Sequence, residues 1–335
     1  MSDVGDLLSR VRQGDEHAFG VLIRPHQVAM FRHCYRMLGS GPDAEDAVQD
    51  TLLRAFRAIE SYDGRGDFAG WLYRIATNIC LDRLRAERRR THPVAYGPPA
   101  RLGDELAMTA DGPGWVEPVA DGELGIGIDP QESLVARETV SLAFLTSMQT
   151  LPPRQRAALL LHDVLGFTPL EVAEVLAATP SAVSSLLHRA RESAAPGRDS
   201  DVLPLDDPRV ADLASRYLRA WERADVDGFV AVVTDDIAFS MPPLPQWFSG
   251  RDDVSAFVEL AIFGPSRPYG VTVRLGRCNG QLAVAVYEPD GSGALGVSGV
   301  QVLDLRPGTE PLVAAVTSYR IPELAVRCGF PSVLP

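Results

Sequence analysis

FAGWLYRIATNICLDRLRAERRR, residues 68–90, is the stretch on which the reading of the whole chain turns. Its apolar residues Trp71, Leu72, Ile75, Ala76, Ile79 and Leu84 recur at three- and four-residue steps, the spacing of one helix face. Arg74, Arg83, Arg85, Arg88, Arg89 and Arg90 take the remaining surface and the C-terminal end. Arginine in a last turn suits the helix dipole, but these outnumber what solubility requires, and guanidinium is shaped for phosphate. Read alone, the segment fits a core helix with a solvated tail as well as a nucleic-acid surface.

The segments upstream are also helical. Leu7, Leu8 and Val11, then Phe19, Leu22 and Ile23, then Met30, Cys34, Met37 and Leu38 keep helical spacing up to a break at residues 39–42, GSGP. Asp43 is expected to cap the next helix, AEDAVQDTLLRAFRAIE. That helix turns Ala47, Val48, Leu52, Ala55, Phe56 and Ile59 inward and groups Asp46, Gln49 and Asp50 on a separate face. Acids near a helix start ordinarily complement the dipole. A glycine-rich loop, residues 62–67, leads back to the opening helix.

The totals limit the possibilities. A chain of 335 residues calls for two or three cores. It has no long apolar run for a membrane span and opens without a signal peptide, so a cytoplasmic location is expected. Cys34, Cys80, Cys278 and Cys328 are scattered, which points to buried free thiols rather than disulfides or a metal site. The net charge of -12 is uneven. Residues 1–92 carry 14 Arg against 13 acids, 93–137 carry 2 against 8, 138–198 balance at 5 and 5, and 199–335 carry 11 against 18. The two helical segments are thus free to approach DNA, while the middle and the C-terminal third are acidic.

Downstream, Pro, Gly and Asp make residues 93–133 an acidic, mostly irregular linker holding an apolar knot, WVEP at 115–118. Helices resume near Leu134. Thr168 with Pro169 and Glu171 starts a short helix, Thr179 with Pro180 starts another, and the pair is a helix-turn-helix candidate. Its second helix can face Val183, Leu186, Leu187 and Ala190 inward and Ser181, Ser184, Ser185, His188, Arg189 and Arg191 outward. After a Pro- and Asp-rich break at 197–207, two helical pieces precede several strand-like runs, implying an α+β domain.

DAEDAVQDTLLRAFRAI at 43–59, the opening segment at 68–90 and LPPRQRAALLLHDVLGFTPLEVAEVLAATPSAVSSLLHRARE at 151–192 together resemble an extracytoplasmic-function sigma factor of the sigma-70 family. YLRAWERADVDGFVAVVTDDIAFSMPP and FSGRDDVSAFV resemble a SnoaL-like domain. The resemblance implies a multi-domain architecture of two all-α sigma domains and an α+β cone. Domain 2 would occupy residues 1–92, linkers 93–133 and 197–207, domain 4 residues 134–196, and the SnoaL-like domain 208–335.

It also implies roles. Asp46, Gln49 and Asp50 would dock on the β' clamp of core RNA polymerase, with the β flap as a second polymerase contact. Phe68 and Asn78 would catch a base of the −10 element, where an apolar pocket and an edge-reading amide are needed, with Trp71 assigned mainly to the core. Arg83, Arg85, Arg88, Arg89 and Arg90 would hold phosphates. Ser184, Ser185, His188, Arg189 and Arg191 would meet the −35 element in the major groove. The resemblance departs at Ser184 and Leu186, where similar factors often carry Lys or Arg. Trp115, Pro118, Asp290 and Gly291 would form a regulatory contact that takes the place of a separate anti-sigma factor. No catalytic residue, cofactor or metal is expected, and the chain is read as a monomer. The rival reading is an enzyme or ligand sensor built on the cone. Asp235, Asp236, Asp252, Glu259 and Tyr287 are its available groups, and binding of a small apolar ligand is favoured over turnover.

Overall fold

The computed structural model describes residues 4–62, 67–86, 90–106, 114–126, 138–193, 203, 205–264, 271–291 and 293–334. The chain divides into two compact units, one of residues 1–90, 123–125 and 147–195, the other of 91–122, 126–146 and 196–335. Most of the stretch expected as a linker is therefore part of the second unit.

The first unit is helical. Helices α1 (Val4–Arg12), α2 (Glu16–Ile23), α3 (Gln27–Leu38), α4 (Gly41–Ala58) and α5 (Phe68–Ala86) precede the long connection. Ser40, not Asp43, caps α4: its Oγ accepts from the Asp43 amide, and Pro42 fills an early position where no donor is needed. Gly39 ends α3 in the left-handed region, φ 75°, and a Cβ there would come 3.2 Å from the Gln149 side chain. Both the turn and the close approach require glycine.

After α6 (Pro93–Tyr96), helices α7 (Leu142–Thr150), α8 (Pro153–Leu159), α9 (Pro169–Val175) and α10 (Pro180–Ser193) follow. Arg156 on α8 is wholly buried inside the first unit. Its guanidinium donates to the carbonyl of Met37, to Gln149 Oε1 and O, and to Leu151 O. A buried charge is tolerable only with several such acceptors, and here both Nη groups fasten the end of α3 to α7 and α8.

Two-residue strands β1 (Arg90–Thr91) and β2 (Gly114–Trp115) come earlier in the chain. The second unit is built on a mixed sheet whose order is β4 (Trp247–Ser249), β3 (Val233–Ser240), β8 (Leu312–Tyr319), β7 (Leu295–Arg306), β6 (Gln281–Pro289) and β5 (Thr272–Cys278), with β9 (Val333–Leu334) pairing on β7. Among the described residues of this sheet only the β3–β8 pair is parallel. Alternation sorts the faces. Leu282, Val284, Val286, Leu303, Val316 and Phe239 pack with α11 (Pro208–Arg223), α12 (Val226–Val230) and α13 (Arg251–Phe257). Ala283, Ala285, Val300 and Val302 are buried on the opposite face, where α14 (Pro322–Arg327) packs against β7.

The connection between the helical segments also belongs to this unit. Val116 and Val119 are fully buried; the Tyr319 hydroxyl donates to Val116 O at 2.8 Å, and Ala120 bridges to Cys278. Asn279 and Gly280, both with positive φ, form the two-residue turn between β5 and β6. The Asn279 side chain accepts from the Val119 amide at 2.8 Å and donates to Val140 O at 2.6 Å. The four cysteines are buried free thiols. Contact with Cys34 raises Cys80 well above the usual thiol range, and burial does the same to Cys278 beside Cys328.

Candidate nucleic-acid interface

Helix α5 starts on Asp67, whose carboxylate accepts from the Ala69 and Gly70 amides at 3.2 Å each. Phe68 is buried among Tyr62, Trp71 and His26, with ring centroids 5.3, 5.6 and 5.7 Å away. Trp71 is half-exposed. The two aromatics thus exchange the places assigned from sequence: Phe68 is the packed ring, and Trp71 offers a face to solvent. Asn78 is exposed two turns further on, and its Nδ2 donates back to Arg74 O at 2.9 Å.

The arginines sort by partner. Arg83 reaches α4, placing Nη2 2.8 Å from Asp50 and Nη1 3.8 Å from Asp46. Arg90 holds Asp43 through Nε and Nη2 at 3.0 and 2.7 Å. Arg85 is exposed and pairs with Asp82 one turn back at 2.7 Å, a contact that solvent makes weak. Arg88 and Arg89 lie outside the described residues. Asp46 and Gln49 are exposed and Asp50 half-exposed, so the acidic face of α4 exists as expected, braced from below by Arg83.

The helix-turn-helix forms as its caps require. Thr168 and Glu171 make a reciprocal capping box, the Thr168 amide donating to Glu171 Oε2 at 2.7 Å and the Glu171 amide to Thr168 Oγ1 at 3.3 Å. Thr179 Oγ1 accepts from the Ala182 amide at 3.2 Å. The two helices bend 99° about the turn, where Ala177 sits at φ 46°. Val183, Leu187 and Ala190 are buried, and Ser184, Ser185, His188, Arg189 and Arg191 are exposed. The two serines bond back to Pro180 O and Ser181 O at 3.1 and 3.0 Å, which leaves their oxygens able to accept. His188 lies 3.4 Å from Glu192. Arg191 forks onto Asp163 at 3.1 and 2.6 Å, an ion pair that raises its pKa and fixes its direction. Arg189 is exposed with no such anchor among the described residues.

Within this unit the helix-turn-helix rests on α5. Arg74 Nη2 donates to Glu174 O at 2.9 Å, and Tyr73 meets Phe167 edge-on at 5.9 Å. Neither pairing was anticipated from the sequence, because partners a hundred residues apart leave no local pattern.

The residues expected at the regulatory contact sit in the second unit. Trp115 is buried, its Nε1 donating to Pro243 O at 3.0 Å with Tyr96 against its ring; Pro118 is buried beside it in sequence. Asp290 and Gly291 are exposed in the turn between β6 and β7, where Asp290 Oδ1 accepts from the Ala294 amide at 3.0 Å. The carboxylates weighed for catalysis lie on the exterior. Asp235 is exposed and pairs with Arg251 at 2.7 Å; Asp236 pairs with Arg306 at 2.7 and 2.9 Å, which lowers it to about 2. Tyr287 turns to the outer face and donates to Pro331 O. Among the described residues no group of His, Cys, Asp or Glu is placed to hold a metal, and no single helix is long and apolar enough to cross a membrane.

Comparison with known proteins matches these pieces one by one. Residues 22–90 fit Sigma-70 region 2, 141–193 fit Sigma-70 region 4, and 214–321 fit a SnoaL-like domain. The ECF RNA polymerase sigma factor SigG of Mycobacterium tuberculosis is 36% identical over 329 residues, 96% of this chain and 86% of that protein. SigW of Bacillus subtilis is 32% identical over 186 residues, 56% of this chain and 91% of that one. The crystal structure of the Mycobacterium tuberculosis extracytoplasmic function sigma factor SigJ shares the fold, with a TM-score of 0.58 and 23% identity over 90% of this chain and 95% of that one. With its acidic α4 face, its helix-turn-helix and a relative matched nearly end to end, the chain belongs to the ECF RNA polymerase sigma factors and carries a SnoaL-like C-terminal domain.

Proposed function

We propose that this protein joins core RNA polymerase through Asp46, Gln49 and Asp50 and directs it to promoters. The −10 element is read along α5 and the −35 element by α10. The observation that carries the reading is that one helical unit presents both an acidic face braced by Arg83 and a recognition helix with Ser184, Ser185, His188 and Arg189 outward. Arg85 and Arg189 are the phosphate contacts this arrangement favours; Arg88 and Arg89 keep that role as an expectation from sequence. Trp71, the half-exposed aromatic, joins Asn78 as a candidate for holding an unstacked base. In vitro transcription with purified core polymerase, with and without the protein, tests the reading. Absence of polymerase association overturns it.

The SnoaL-like unit is the regulator in this reading, acting through the connection it holds and making a separate anti-sigma partner unnecessary. Support comes from Trp115, Val116, Val119 and Val140, which lie between the two sigma regions in sequence yet pack or bond within that unit. Ligand sensing by the same unit is a second reading, favoured by an internal cavity with a buried amide. Catalysis is disfavoured because Asp235, Asp236 and Tyr287 are committed outside it.

A further inference from the structure

The helix-covered face of the sheet lines a partly open cavity of about 180 Å³. Trp221, Met241, Phe257, Ile262 and Val286 give it apolar walls. Ser298 and Ser318 also line it, and strand β7 adds Gln301, which is 1% exposed. Its Oε1 accepts from the buried Tyr217 hydroxyl at 2.9 Å, the one side-chain hydrogen bond Gln301 makes among the described residues. Among the described residues its amide nitrogen has no acceptor, and Gln301 lines the cavity. A buried amide donor is costly without an acceptor, and an apolar residue of similar volume would avoid that cost. The site is therefore built to receive an acceptor atom.

Three further features define what fits. At the rim Glu288 and Arg320 face each other at 3.8 Å. Their charges offset, so a neutral ligand suits the cavity better than an anion or a cation. An apolar cavity of roughly 150 Å³ holds benzene, so this one has room for a single ring with a short substituent and excludes fused polycyclic molecules. Finally, one wall is Leu106, which belongs to the connection between the two sigma regions. That strand of chain is tied at the mouth by Ala100 N to Trp247 O at 2.7 Å, Trp247 Nε1 to Gly97 O at 2.8 Å and Gln246 Nε2 to Glu105 O at 3.4 Å.

We propose that this cavity binds a small neutral aromatic carbonyl compound, whose oxygen accepts from the Gln301 amide while its ring lies between Trp221, Phe257 and Val286 under Leu106. This rests on the ligand-sensing reading and gives it a place and a chemical class. Its test reads binding alone, so its failure is separable from failure of the polymerase reading. Calorimetry or ligand-observed NMR on the full chain would compare acetophenone with ethylbenzene, which has the same ring and no acceptor. Acetophenone is expected to bind about tenfold more tightly, the factor one hydrogen bond supplies. Gln301→Leu should bring the ratio near one. Ala261→Trp, at an exposed position on the cavity mouth, should abolish binding of both without touching the core. Leu106→Ser should weaken both several-fold. The proposal is overturned if neither probe binds at millimolar concentration, if the preference survives Gln301→Leu, or if Ala261→Trp leaves binding intact.

Discussion

Replacing Arg83 by Met separates two roles that an arginine on this helix could have. An arginine that neutralises a phosphate releases counterions, and each such contact contributes about 0.9 to the slope of log affinity against log salt. Arg83 is already neutralised, at 2.8 Å from Asp50 and 3.8 Å from Asp46. Moving it to DNA would first break that pair and leave two carboxylates uncovered near the phosphates. Arg83→Met is therefore expected to leave the slope unchanged, while costing the first unit about 0.5–1 kcal/mol for a partly exposed ion pair. Arg189→Met, which removes a cation with no carboxylate anchor among the described residues, should lower the slope by about 0.9, so that a threefold rise in salt weakens binding about 2.7-fold less than in the parent. The assay is anisotropy of a labelled promoter fragment with reconstituted holoenzyme, titrated from about 0.1 to 0.3 M salt, alongside urea unfolding of each variant. An equal loss of slope in both variants would refute the assignment, because Arg83 would then leave the acidic face to meet DNA.

Two other outcomes follow from buried groups. Burial holds His92 neutral and lowers it from 6.5 to about 4, so its contribution to stability is complete above pH 6.5 and is lost as pH falls through that value toward 4. Between pH 7.5 and 5.0, above the carboxylate range, unfolding of the second unit should become easier by about 2 kcal/mol, and His92→Asn should remove that dependence; identical pH profiles of the two proteins would show that His92 is not the group responsible. Arg156→Met strips the carbonyls of Met37, Gln149 and Leu151 of a donor inside the first unit. Loss of about 3 kcal/mol in urea unfolding is expected, and an unchanged midpoint would mean that the site rehydrates.

The helices, their order and the helix-turn-helix were legible because caps and periodicity are local. Thr168, Pro169 and Glu171 announce α9 before any tertiary contact forms. What could not be read was how each face divides its labour. Periodicity places Phe68 and Trp71 three residues apart on one broad stripe and cannot say which ring goes under, a matter decided by Tyr62 and His26 arriving from elsewhere. Arg83 and Arg90 looked like a phosphate-binding run because their carboxylates, Asp50 and Asp43, lie 33 and 47 residues earlier. The Asn279-Gly280 turn carries a strong hairpin signal, but nothing in the sequence tells that its Asn side chain grips Val119 and Val140.

That grip changes how removal of the C-terminal domain should be understood. Val116 and Val119 are buried in the unit that holds the sheet, tied to it through the Tyr319 hydroxyl and the Asn279 side chain. Truncation after about residue 200 deletes the strands but keeps Trp115, Val116, Val119, Val140 and Leu142. It therefore converts buried apolar chain into exposed chain, a liability for aggregation as well as a release from control. A change in activity on truncation would mix the two effects. Replacing the Asn279 side chain removes its bonds to the Val119 amide and Val140 O, keeps the bond from its own amide to Val119 O, and leaves the sheet in place. The proposed regulation through the connection is therefore tested by removing these polar ties one at a time, which distinguishes it from loss of a hydrophobic surface.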